Sequence, residues 1–306
     1  MISSAPAVLK INISDISSDE FFKVSKKYYP ASLASSLKLS GMLDVPYVYK
    51  TGSDYKTISC HNRLKILREL GLSTINCFVL DKPDSDIFMN HAALKSYRNE
   101  IGPFGKLKAL FILDTFFNLT ESARKDYCTK VLKLPLEIIE NESYLTKILA
   151  FPEHLIWYID EKDINFKLIK DISLLPAQWI EVIARWIKDI QVRVNIFRML
   201  VDNVFDIYRR GDSLTSIESI SFNDDKTLYD SIYRLRYPGF SKLKLQSDNV
   251  INELSGAGLT IDFPEYFDRR FVTLKLDIDK KTDCSDQLKK ISKINIEKLK
   301  ELLSFL

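Results

Sequence analysis

Apolar positions along this chain follow more than one rhythm. Over residues 8–13, in VLKINI, they alternate with polar ones, the period of a strand with one face buried. Residues 34–39 predict a short helix that stops at Gly41, since glycine takes the left-handed conformation that ends helices. VPYVYK (45–50) and YKTIS (55–59) predict the two strands of a hairpin turning at Gly52. Leu64, Leu67 and Leu70 mark one face of a helix that stops at Gly71, and INCFVL (75–80) predicts another buried strand.

From Ser85 onward the period changes to that of a helix. Leu107, Leu110, Phe111, Asp114 and Phe117 keep helical spacing, and Leu119-Thr120-Glu121 restarts the pattern after a turn. Between Asn118 and Arg210 this predicts five or six short helices, broken near Pro135, Pro152 and Pro176. The polar stretch from Gly211 through Asp225 predicts a linker. Beyond it the pattern predicts a helix over 242–254, strands in LTIDF and FVTLKLDI, and an amphipathic helix ending at Leu306. The expected fold class is therefore α+β and multidomain. An α/β unit spans residues 1–84, an all-α unit 85–210, a linker 211–228 and a small α+β unit 229–306.

Composition narrows the classes. No run of about 20 apolar residues exists, so no membrane-spanning helix is expected. The N-terminal residues lack the basic segment and long apolar core of a secretory signal. Cys60, Cys77, Cys128 and Cys284 are scattered, which suits a reducing cytoplasm, and no pair has zinc-ligand spacing. A net charge of +3 allows nucleic-acid contact without demanding it.

The chemistry concentrates in SCHNRLKILRELGLSTI (59–75), where a strand runs into a helix. A helix mouth behind a tight turn presents unpaired N–H groups and partial positive charge, and Arg63 beside it adds bidentate pairing, so the stretch reads as a phosphate site. Cys60 and His61 also allow a reactive thiol, against the plainer reading of Cys60 as a small, partly buried residue. His91 and His154 read as surface or core residues, and Asp84 with Asp86 as a helix cap. Trp157, Trp179 and Trp186, among Leu and Ile at helical spacing, read as core.

The order of these elements resembles ParB-like partition proteins over roughly residues 8–205. In that family a helix ends in glycine before a proline-bearing strand, a hairpin follows, and a Gly-x-Arg-Arg turn opens a helix closed by Gly-Leu; Gly41, Pro46, Arg63 and Gly71-Leu72 fall in those places. LKSYRNEIGPFGKLKAL (94–110) resembles the family's Glu-Asn-x-Gln-Arg segment and Asn-Pro turn, with Arg98 and Pro103 matching and Leu94 and Lys95 in place of Glu and Asn. The resemblance implies a ParB/sulfiredoxin-like first domain and an all-α middle domain (85–210) whose residues 161–187 correspond to the helix-turn-helix region and its supporting helices. It also implies a CTP site formed by Gly41, His61, Asn62, Arg63, Lys95 and Arg98. Cys60 stands where the turn glycine is usual, and Leu94 removes an oxygen ligand for Mg²⁺, so at most weak CTP hydrolysis is expected and no catalytic or metal-ligating residue is assigned. Sulfiredoxins carry Gly-Cys-His-Arg at this turn; here the order is Cys-His-Asn-Arg, which shifts the thiol by one residue.

DNA contact is expected from Lys125, Lys130 and Lys133, and from a second strip with Arg185, Lys188, Arg193 and Arg198; the alternative for both is a solvated face. The segment PLEIIENESYLTKIL (135–149), as a recognition helix, sets Glu137, Glu140 and Glu142 against Lys147. The functional expectation is a DNA-binding protein of a plasmid or mobile-element partition system, cytoplasmic and associated with the nucleoid or plasmid. By the resemblance it is a homodimer through its C-terminal unit, a CTP-dependent clamp on DNA and a partner of a ParA-type ATPase, with no membrane role. Two alternatives stay open: an adaptor using the same fold without hydrolysis, and a thiol enzyme through Cys60.

Overall fold

The computed structural model describes residues 6–24, 31–255, 260–264, 267–275 and 294–306. Its first part is a four-stranded mixed sheet in the order β1-β4-β2-β3, built from β1 (Ala7–Asn12), β2 (Tyr47–Thr51), β3 (Asp54–Thr57) and β4 (Thr74–Leu80). β2 and β3 form the expected hairpin, with Gly52 at φ +68° in its turn. The chain then crosses through α2 (His61–Glu69) and returns as β4, parallel to β2, with Tyr47 opposite Phe78.

Both faces of this sheet are covered, which follows from the period of two. Val48 points into a small core with Ile11, Leu37, Leu64, Leu67 and Cys77, beneath α1 (Ala31–Ser40) and α2. Its neighbour Tyr49 points the other way, into a core shared with Phe22, Ile58, Phe88 and Ala92. That second core runs on without a break through the helices that follow.

Those helices begin with α3 (Ser85–Tyr97) and α4 (Pro103–Thr115). Between Asn118 and Arg210 there are seven, one or two more than the pattern predicts: α5 (Glu121–Lys130), α6 (Leu136–Ile139), α7 (Glu142–Leu149), α8 (Glu153–Glu161), α9 (Phe166–Ser173), α10 (Ala177–Asp189) and α11 (Val194–Arg210). The breaks fall at the expected prolines, each of which also starts the next helix: Pro135, Pro152 and Pro176 occupy the N-cap positions of α6, α8 and α10. Proline's fixed φ and missing N–H cost nothing there. Trp179 and Trp186 are core residues, whereas Trp157 stays 41% exposed, because α8 turns that side outward.

Residues 211–228 hold more structure than a polar linker. Gly211 ends α11 at φ +86°, α12 (Thr215–Glu218) follows, and α13 (Asp225–Arg236) opens with a capping box between Asp224 and Thr227. Ile217, Leu228 and Ile232 are fully buried in the helical core.

The remaining part has α14 (Pro238–Ser255), a short antiparallel pair of β5 (Thr260–Asp262) and β6 (Thr273–Lys275), and α15 (Ile296–Leu303) around Val250, Leu254 and Leu302. The continuation of FVTLKLDI beyond Lys275 and Cys284 lie outside the described residues.

Candidate functional site

Cys60 fixes the turn into α2. It is a non-glycine residue at φ +66°, ψ +23°, so the backbone keeps the left-handed geometry a glycine would supply, with a side chain added. The Cys60 side chain makes no cap to α2, and the first-turn N–H groups, which have no intrahelical acceptor in any helix, carry the positive end of the helix dipole. The helix mouth opens on a cavity of about 860 Å³.

Five of the six residues expected at the phosphate site line this cavity: His61, Asn62 and Arg63 from α2, Lys95 from the last turn of α3, and Arg98 from its C-cap. Gly41 does not; it closes α1 at φ +66°, two residues before Leu43, where the chain reaches the cavity rim. Two carboxylates meet the cations. Asp44 pairs with Arg63, whose Nη1 also lies 3.7 Å from the Cys60 sulfur. Lys95 Nζ donates to Glu100 at 3.2 Å. Leu94 and Leu43 supply apolar wall.

Two imidazoles stand in the same wall, and both are held neutral. Burial pushes His61 down to about 3, with His91, Lys23, Lys108 and Lys95 adding repulsion. His91 is also pushed down to about 3, first by burial and then by Lys95 and Arg63, against a weaker pull from Asp44. Among the described residues His61 Nε2 has no hydrogen-bond partner. His91 thus belongs to the site, though its sequence context suggested an ordinary surface or core residue; it precedes Lys95 by one helical turn, and that spacing was the available signal. Asp44, Tyr47, Asn90 and Glu100 are further lining residues absent from the expected set.

The cavity does not suit a divalent cation. Its carboxylates, Asp44 and Glu100, each face a protein cation, and Leu94 offers no oxygen. Among the described residues no group of three His, Cys, Asp or Glu side chains converges as a metal site.

The expected DNA contacts are dispersed, and four of the seven face carboxylates. Lys125 pairs with Glu140 at 2.5 Å and Lys130 with Asp126 at 3.1 Å; Arg185 lies 3.6 Å from Glu218. Arg193 binds Asp225 through Nε at 2.8 Å and Nη2 at 3.0 Å, while its backbone N–H donates to the same carboxylate. Lys133 lies in the turn after α5 at φ +59° and is exposed. Residues 135–149 form two short helices, α6 and α7, in place of one recognition helix. Glu137 pairs with Lys170, and Glu140 with Lys125. Within residues 161–187, α9 and α10 are joined by a three-residue turn, and Gln178, Glu181, Arg185 and Lys188 form the exposed side of α10.

No protein-family model matches the chain, and no curated protein matches it. Among solved structures it is similar to the C-terminally truncated chromosome-partitioning protein ParB from Caulobacter crescentus complexed with CTP-γ-S. The identity is 13%, over 60% of this chain and 99% of that one, with a TM-score of 0.26. It is similar to the same truncated protein complexed to the centromeric parS site, at 12% identity over 63% and 98% of the two chains and a TM-score of 0.31. A Pnob8-like ParB-N domain is similar at 12% identity over 72% and 88%, with a TM-score of 0.34. At these scores the functional reading rests on the cavity itself.

Proposed function

We propose that the cavity at the mouth of α2 holds the phosphates of a nucleotide, with CTP the leading ligand, and that the chain works as a ParB-like DNA-associated protein. One observation carries the reading: a helix N-terminus behind a left-handed turn shares a single cavity with Arg63, Lys95 and Arg98. The N–H groups of the first turn receive phosphate oxygens, Arg63 supplies a planar fork, and Lys95 adds charge from α3. No hydrolytic step is assigned, since no carboxylate in the cavity stands clear of a cation.

The wider assignment follows the ParB likeness. The helical unit would contact DNA, with α9 and α10 as its helix-turn-helix and Lys133 among its phosphate contacts. The C-terminal unit would join two copies, nucleotide binding would close them on DNA, and a ParA-type ATPase of a plasmid or mobile-element system would act on the complex.

A second reading, an adaptor that binds no nucleotide, draws on the ion pairs. Asp44 and Glu100 already satisfy Arg63 and Lys95. Calorimetry of the full chain with CTP and the other nucleotides, with and without Mg²⁺, separates the two. Heat of binding that is lost in Arg63→Ala supports the nucleotide site. Absence of binding in wild type overturns it and leaves the adaptor.

A further inference from the structure

The charged groups account for only part of the cavity wall. Tyr47 on β2 and Phe78 on β4 are opposite each other in the parallel register, so their side chains rise from the same face of the sheet. Their rings stack, with centroids 4.8 Å apart and planes within 22°. A sheet face bearing two aromatic residues is ordinarily covered by a helix. Here both rings are only half-buried, and both line the cavity. From α3, Asn90 and His91 line it as well. An amide offers a donor and an acceptor together, and so does an imidazole without charge.

We propose that Tyr47 and Phe78 form a platform for the planar ring of the bound molecule and that Asn90 and His91 read that ring's polar edge. This deepens the nucleotide reading of the same cavity and rests on it. A bare polyphosphate would use the cationic wall alone, whereas a nucleobase uses this one also. Burial among Lys95 and Arg63 keeps His91 uncharged, which suits a carbonyl or ring nitrogen better than a phosphate oxygen. An aromatic platform accepts any base face, so the choice among bases falls to the amide and the imidazole.

Calorimetry of the full chain with inorganic tripolyphosphate and with each of the four nucleoside triphosphates tests this. Wild type is expected to bind one nucleoside triphosphate at least about tenfold more tightly than tripolyphosphate, the order of a single base–aromatic contact. Tyr47→Leu should remove most of that advantage. Asn90→Ala and His91→Leu should flatten the preference among the four bases, and all three should leave tripolyphosphate affinity unchanged. Asn90 is exposed, so its substitution does not threaten folding and carries the test if the others disturb the sheet. Tripolyphosphate binding as tightly as every nucleotide would overturn the ring subsite and leave the phosphate site standing. Equal losses for nucleotide and tripolyphosphate in these variants would overturn it too. Failure of every ligand, tripolyphosphate included, would overturn the phosphate reading and this inference together.

Discussion

Gly102 has no room for a side chain because the carboxylate of Asp160 occupies the place. A Cβ built there would meet Asp160 Oδ1 at 2.2 Å, while the same oxygen accepts a hydrogen bond from the Phe104 N–H at 2.8 Å. Asp160 therefore caps α4 from α8, across 56 residues of sequence, and its side chain is buried. This contact fixes where α4 starts, and the turn before it carries Arg98 and Glu100 to the cavity.

Asp160→Ala should cost about 1–3 kcal/mol, the loss of a cap whose partner N–H is left buried. Gly102→Ala should also destabilise. The double variant should cost less than the sum, because Asp160→Ala removes the two atoms nearest the new methyl group. Urea unfolding of the four proteins measures the coupling, and strict additivity would contradict the contact.

The left-handed Cys60 yields a prediction of the opposite sign. A side chain at φ +66° costs roughly 1–2 kcal/mol relative to glycine, so Cys60→Gly should raise the unfolding midpoint despite the greater freedom of the unfolded chain. Cys60→Val, branched at Cβ, should lower it. A Cys60→Gly protein less stable than wild type would mean that the sulfur's contacts with Ser59 and Arg63 outweigh the strain.

How far the sequence revealed this arrangement depended on the range of the interactions. Gly41, Gly71 and Gly211 end helices, Gly52 turns the hairpin and Asp84 caps α3, all as local signals a few residues wide imply. Arg63 and Arg98 were legible because a helix mouth and a family resemblance point to them. Their counter-charges were not: Asp44 is 19 residues from Arg63, and no pattern in the chain announces the pair. Arg193 read as a DNA contact for the same reason, since Asp225 lies 32 residues away. The start of α13 was hidden by its polar approach, although Asp224 and Thr227 carry a capping box and Leu228 and Ile232 a helical spacing.

The two half-buried histidines make stability depend on pH. In the unfolded chain each takes a proton near pH 6.5; in the native state both resist it until about pH 3. Between those values the unfolded chain holds more protons, so stability is complete above about pH 6.5 and declines as pH falls. The slope is up to about 1.4 kcal/mol per pH unit for each histidine. Urea midpoints at pH 7 and pH 5 should therefore differ more for wild type than for His61→Gln or His91→Gln. Comparison between variants cancels carboxylates that titrate in the same range, and equal pH dependence in all three would show that the histidines are not held neutral.

Asp44 gives the sharpest test of the cavity's charge. It is the partner of Arg63 and is itself half-exposed, so it competes with any anion for the guanidinium while repelling that anion directly. Asp44→Asn keeps the shape and removes the charge. Affinity for inorganic tripolyphosphate should rise by roughly tenfold at low salt, the scale of one charge-assisted hydrogen bond made available. The gain should shrink as salt is added, because ions screen an accessible site. Arg63→Ala should lower the same affinity, and Asp44→Asn made in that background should recover only the part due to direct repulsion. Thermal stability should change little in Asp44→Asn, since an exposed ion pair contributes about 1 kcal/mol or less. Weaker anion binding in Asp44→Asn would mean that Asp44 holds Arg63 in the binding position, making the ion pair part of the site instead of its competitor.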